Sequence, residues 1–219
     1  MIILLIIIIL GFLFYASYSI KSQIYVRTLC RVRTAENIVY LTFDDAPDAV
    51  QTPKVLDVLK QNNIKATFFC IGSKIVGNEQ IIKQIIVDGH QIGNHSFSHK
   101  NTFPLFSRKK MLADVELCQQ TLKNIIGCEP TFFRPPFGVT NPHVAWVVKK
   151  TGLKVIGWTI RSYDTNAVNQ QKIIDRIVRQ LKSGAIILLH DRLNGSETLL
   201  QSLIDEIRGK GFSFGELKV

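Results

Sequence analysis

Two adjacent carboxylates, Asp44 and Asp45, close the apolar run of "VYLTFDDAP". Two histidines follow, His95 and His99 in "GNHSFSH", then Arg134 in "RPPFG", Asp164 in "GWTIRSYD", and His190 and Asp191 in "LLHD". A His-x-x-x-His spacing can put two imidazoles on one divalent metal. A nearby Asp supplies a third ligand, and such sites keep a position open for water. Adjacent carboxylates repel. Binding one of the two to a cation removes that conflict and leaves the other free as a base on water whose pKa the cation lowers. Arg134 can hold such a base ionised and oriented. His190 follows five apolar residues, which places it at the end of a buried strand. A solvated turn would account for Asp-Asp-Ala-Pro alone, but not for reactive groups recurring at the same place in successive units.

That place is the carboxyl end of a strand. Apolar runs at 37–43, 66–71, 90–93, 131–133, 154–157, 185–189 and 212–215 read as strands, and helices with clear end signals separate them. Thr52-Pro53 and Asn141-Pro142 each pair an N-cap with a first-turn proline. Ser107 opens a helix whose face carries Met111, Val115, Cys118, Leu122 and Ile125, with Gly127 beyond it. Two further helices are expected over 170–182 and 196–208. Strands alternating with such helices imply an α/β fold with about seven parallel strands. Periodicity leaves a closed barrel and an open doubly wound sheet both standing. In either, the strands' carboxyl edge carries the site.

The 219 residues are 46% hydrophobic and 20% charged, a globular composition. Residues 1–20, "MIILLIIIILGFLFYASYSI", contain no charged side chain. About 20 apolar residues match a bilayer's hydrocarbon core, and no basic residue or small-x-small site marks a cleaved signal. The expected organisation is therefore a transmembrane anchor at 1–20, a basic linker at 21–33 and one domain at 34–219. The net charge is +10. Its one dense basic cluster in the body, Arg108–Lys110, opens a helix instead of alternating with aromatics, so nucleic acid is not the expected partner. Four cysteines form no Cys-x-x-Cys pair.

"TFDDAP", "HSFSH", "RPPFG" and "ILLHD", in this order, resemble the metal-dependent polysaccharide deacetylases of the NodB-homology type. The resemblance runs from about residue 37 to the C-terminus. It implies a distorted (β/α) barrel that hydrolyses an N-acetyl, sometimes an O-acetyl, group on a carbohydrate. By motif, it implies that Asp44 is the general base and that Asp45, His95 and His99 hold a divalent metal, usually zinc, with cobalt as an alternative. It further implies that Arg134 supports the base, that the Phe137 N–H helps bind the oxyanion, and that His190 is the general acid. Amide hydrolysis needs these three services: an activated water, a stabilised oxyanion and a protonated leaving nitrogen.

Two departures stand out. Ala46 replaces a common Gly, a small change unless the residue needs a positive φ. In the Trp-x-x-Asp-x-x-Asp-Trp motif, Arg161 and Thr165 replace the first Asp and the second Trp, which leaves Asp164 as the carboxylate able to orient His190. Two other functions fit the same residues, a glycan-binding module with impaired catalysis and a metal amidohydrolase of a small non-sugar amide. The intact ligand and acid/base set favours the deacetylase. Basic residues after the anchor would hold the domain in the cytoplasm, whereas a cell-surface or wall glycan as substrate requires the extracytoplasmic side, which is the expectation adopted.

Overall fold

A computed structural model describes residues 1–166 and 169–218. Nine strands form one sheet: β1 (Thr28–Leu29), β2 (Ile38–Ala46), β3 (Thr67–Cys70), β4 (Gln91–Asn94), β5 (Phe132–Phe133), β6 (Lys154–Ile156), β7 (Ile160–Arg161), β8 (Ile186–His190) and β9 (Ser213–Phe214). They run in the order β1-β6-β5-β4-β3-β2-β8-β7, with β9 beside the start of β2, and every strand pair is parallel. The sheet curls into a partial barrel, with the Thr159 hydroxyl between β6 and β7 donating to the Cys30 carbonyl just past β1. All seven strands read from the sequence are present. β1 and β7 were not foreseen, because two residues are too few to show any alternation.

The helices are α1 (Ile2–Tyr18), α2 (Gln51–Gln61), α3 (Gly72–Ile75), α4 (Glu79–Val87), α5 (Arg108–Ile126), α6 (Pro142–Thr151), α7 (Gln170–Val178) and α8 (Ser196–Gly209). Ser107 and Asn141 cap α5 and α6 as expected, and Gly127 and Gly152 end them in the left-handed region. The expected cap at Thr52 is displaced. Asp48 accepts the Val50 and Gln51 N–H groups, while the Thr52 hydroxyl accepts from Asp48 N and donates to Asp191.

Side-chain alternation along the strands divides the core in two. Val39, Leu41 and Phe43 of β2 pack outward with Ile187 and Leu189 of β8 against the helices. Tyr40 of β2 and Ile186 and Leu188 of β8 face the barrel interior with Phe69, Phe132, Ile156 and Trp158. Continuing the inward rows upward brings Asp44 and His190, which are register partners, to the top of the barrel. At Gly93 an added Cβ would lie 2.5 Å from the Phe69 ring, so β4 leaves that ring its place inside.

Helix α1 is 17 residues long, about 25 Å at 1.5 Å per residue. Among the described residues no helix is long and apolar enough to cross a membrane, so the transmembrane span expected over residues 1–20 is not found. The chain leaves the helix early because its last turn docks on the domain. Thr140 N donates to Ser17 O at 2.9 Å, the Ser22 hydroxyl to Ala16 O at 2.9 Å, and Ala16 and Ile20 are buried. The segment read as a linker, 21–33, supplies β1 and the Val32 N–H bond to Gly184 O.

Candidate active site

In a regular strand Asp44 and Asp45 would point to opposite faces. The β2–β3 register shifts between Asp44 and Ala46, and Asp45 has φ +71°. This bulge turns both carboxylates toward one cleft. The Nε2 atom of His95 lies 3.8 Å from Asp44 Oδ2 and 3.7 Å from Asp45 Oδ1, and His99 Nε2 lies 3.5 Å from the same Asp45 oxygen. The positive φ thus falls on Asp45, and Ala46 stands outside the left-handed region.

Asp45, His95 and His99 bring three ligand atoms within 4.8 Å of one another. Ligands at about 2.1 Å around a tetrahedral ion sit roughly 3.4 Å apart, so separations of 3.5 and 3.7 Å fit a shared ion with small adjustments. The His95 Nδ1 atom lies 2.6 Å from the Arg134 carbonyl. A carbonyl only accepts, so Nδ1 carries a proton, which leaves Nε2 as the nitrogen placed to hold a metal. Burial and the neighbouring His95 push the His99 imidazole down to about 4, leaving it neutral at pH 7. Burial alone would raise the Asp45 carboxyl, but His95, His99 and the Arg192 guanidinium hold it well below the carboxylate range. The donor set, with one carboxylate and two imidazoles, fits a divalent metal.

Arg134 leaves β5 inside the barrel and is wholly buried. Its guanidinium donates to the Ile156 and Gly157 carbonyls, the Thr42 hydroxyl and Asp44 Oδ1, the last at 2.6 Å, and lies 4.1 Å from the Phe69 ring centre. Asp44 Oδ1 is thereby occupied, and Oδ2 faces His95. Removing one partner of a buried ion pair leaves an uncompensated charge. Arg134→Leu is therefore expected to lower the unfolding free energy by about 3–5 kcal/mol, measured by urea denaturation. A loss below 1 kcal/mol would show that Asp44 needs no such partner.

His190 ends β8 opposite Asp44. Its Nδ1 is 2.8 Å from Asp164 Oδ1, and its backbone N–H donates to Asp164 Oδ2 at 2.8 Å. Burial works against the imidazolium, yet the bond to Asp164 and its charge outweigh burial, and the pKa of His190 is raised. Asp191 faces the other way. It is fully buried, accepts from the Thr52 hydroxyl at 2.5 Å, and its carboxyl is pushed up to about 7 by burial. It does not join the cleft.

The cleft has a volume of about 490 Å³ and is lined by Asp44, Asp45, His95, His99, Phe137 and His190, with Arg134 and Asp164 directly behind. Phe137 has φ +62°, its ring lies 4.9 Å from that of His99, and its N–H has no acceptor among the described residues. Five of the seven described non-glycine residues with positive φ (Asp45, Ser96, His99, Phe137 and Tyr163) belong to the segments around this cleft. Such outliers gather where a site constrains the backbone.

Three contributors were not foreseen. Arg192 Nε donates to Asp45 Oδ2 at 2.8 Å, Lys74 Nζ to the Asp45 carbonyl at 2.8 Å, and Thr42 holds Arg134. Thr42 was within reach of the sequence, since it stands two residues before Asp44 on the same face. Lys74 sits on the short helix α3, which no pattern announced.

A family model described as "Polysaccharide deacetylase" matches residues 31–156. A peptidoglycan-N-acetylglucosamine deacetylase of Bacillus cereus is 34% identical over 187 residues, 82% of this chain and 85% of its own length. The peptidoglycan-N-acetylglucosamine deacetylase PgdA of Listeria monocytogenes is 31% identical over 195 residues, 89% of this chain, and the chain spans only 41% of that relative's length. Among solved structures, a peptidoglycan N-acetylglucosamine deacetylase in complex with 4-naphthalen-1-yl-N-oxidanyl-benzamide superimposes with a TM-score of 0.80 at 31% identity. That match covers 87% of this chain and 90% of the other.

Proposed function

From a chain that belongs to the polysaccharide deacetylase family, we infer a metal-dependent hydrolase that removes acetyl groups, chiefly N-acetyl, from a cell-surface or cell-wall carbohydrate. The observation that carries this reading is the convergence in one cleft of a three-ligand set, a carboxylate fixed by a buried arginine and a histidine fixed by a buried carboxylate. B. cereus and L. monocytogenes relatives named for N-acetylglucosamine in peptidoglycan support the substrate class.

Asp45, His95 and His99 would hold the divalent ion, which when bound acts as a Lewis acid on the acyl oxygen and acidifies water. The chain's own groups do the rest. Asp44, paired with Arg134 and aimed by it, takes the proton of the attacking water through Oδ2. The Phe137 N–H donates to the oxyanion that develops on the acyl oxygen. His190, protonated and oriented by Asp164, gives its Nε2 proton to the leaving nitrogen, so that acetate and the free amine of the sugar are released. The reading is tested by acetate release from N-acetylglucosamine oligomers and from acetylated wall glycan. No acetate from either would reject it.

The role of His190 carries a pH signature. Its folded pKa is raised, so the acid form, and with it turnover, persists to higher pH than for an ordinary histidine. Asp164→Asn removes the charge that sustains it, and the alkaline limb of the pH–rate profile is expected to move to lower pH. An unmoved limb with the metal still bound would remove Asp164 from this role.

Lipid is the proposed medium of α1. The side chains of residues 2–15 are exposed and, in the same stretch, uncharged. We place the domain on the extracytoplasmic side, where its substrate lies. Protease added to intact spheroplasts should digest the domain, and full protection would place it inside.

A further inference from the structure

Resting on the deacetylase reading, we propose that the cleft selects acetylated glycans bearing an oxyanion, a carboxylate or a phosphate, beside the sugar that loses its acetyl group. Arg161 and Arg192 are the residues that bind it.

Both arginines are exposed and line the cleft. Arg161 pairs with no acidic side chain among the described residues. Its guanidinium carbon lies 5.6 Å from the Trp158 ring centre and 4.9 Å from that of Tyr163, so two aromatic faces hold it in place. Arg192 commits only Nε, to Asp45 Oδ2, and its two terminal nitrogens bond no described protein atom. The acids of the cleft are already engaged, Asp44 by Arg134 and Asp45 by Arg192 and the histidines, so neither neutralises Arg161. Lys74, the third cation of the wall, is spent on a backbone carbonyl.

A neutral acetamido sugar offers a guanidinium only uncharged hydroxyl and carbonyl acceptors, singly placed. A carboxylate or phosphate offers more, because the planar fork of donors matches two oxyanion oxygens at once.

The test compares four oligosaccharides of equal length with the full, metal-loaded chain. These are an N-acetylglucosamine oligomer, an alternating N-acetylglucosamine and N-acetylmuramic acid oligomer, the latter with its carboxyls reduced to alcohols, and a 6-phosphorylated N-acetylglucosamine oligomer. The carboxylated or the phosphorylated oligomer is expected to exceed its uncharged counterpart about tenfold in kcat/KM, the size of one hydrogen bond to a charged group, and mainly through KM. Whichever of the two does so identifies the anion. The advantage should shrink in high salt, because the arginines are exposed. Arg161→Gln should collapse the charged-to-uncharged ratio toward one, Arg161→Lys should retain part of it, and Arg192→Gln should lower it. A ratio near one for both anions in the unaltered chain, or a ratio that Arg161→Gln leaves in place, overturns this inference while the deacetylase reading stands. Absence of acetate from all four rejects both.

Discussion

Asp45→Ala is expected to abolish divalent-metal affinity and acetate release together. Loss of a group that merely supports a ligand costs about 10–100-fold in affinity, so loss of a ligand should cost more than about 100-fold. Asp45 is the residue that both histidines approach, at 3.7 and 3.5 Å, and its second oxygen is pinned by Arg192. Without it two imidazoles remain, and neither brings a negative charge to balance a cation. Competition against a chromophoric chelator reads the affinity directly. Stoichiometric metal in Asp45→Ala would show that the ion sits elsewhere.

Asp44→Asn should give the opposite dissociation. The amide oxygen keeps an acceptor for Arg134, the three ligands are untouched, and metal content should be that of the unaltered chain. Turnover should nevertheless fall about 10²–10⁴-fold, the usual size of a general base contribution, because an amide cannot take the proton from water. The loss should appear in kcat, with little change in KM. If Asp44→Asn lost the metal while Asp45→Ala kept it, the two roles would be exchanged.

The contrast between these neighbours also marks how far sequence reasoning reaches. That both carboxylates belong to one site followed from their place after an apolar run and from the same placement of His95, Arg134 and His190. That they share one face did not follow, since strand alternation argues against it, and the bulge at Asp45 resolves the conflict through a register shift that no composition rule reveals. Asp164 was legible as the carboxylate left in its motif, and its oxygen lies 2.8 Å from His190 Nδ1. Arg192 was not legible. It stands just beyond β8, where strand alternation no longer says which way a side chain turns, and its contact with Asp45 joins residues 147 apart in sequence. Asp191 misled in the other direction: it adjoins His190 in "LLHD", yet its carboxylate turns away to the Thr52 hydroxyl of α2. Where the N-terminal helix ends was hidden for a related reason. Twenty apolar residues set a length, but the hydrogen bonds from Thr140 and Ser22 that end the helix near Tyr18 come from chain that hydropathy does not consider.

The most direct test of the account is acetate release from an N-acetylated wall glycan by the full chain after chelation and dialysis, before and after zinc or cobalt is returned. The account predicts no release from the metal-free protein and recovery with either ion, in proportion to occupancy of the Asp45, His95 and His99 site. Undiminished release from the metal-free protein would contradict it.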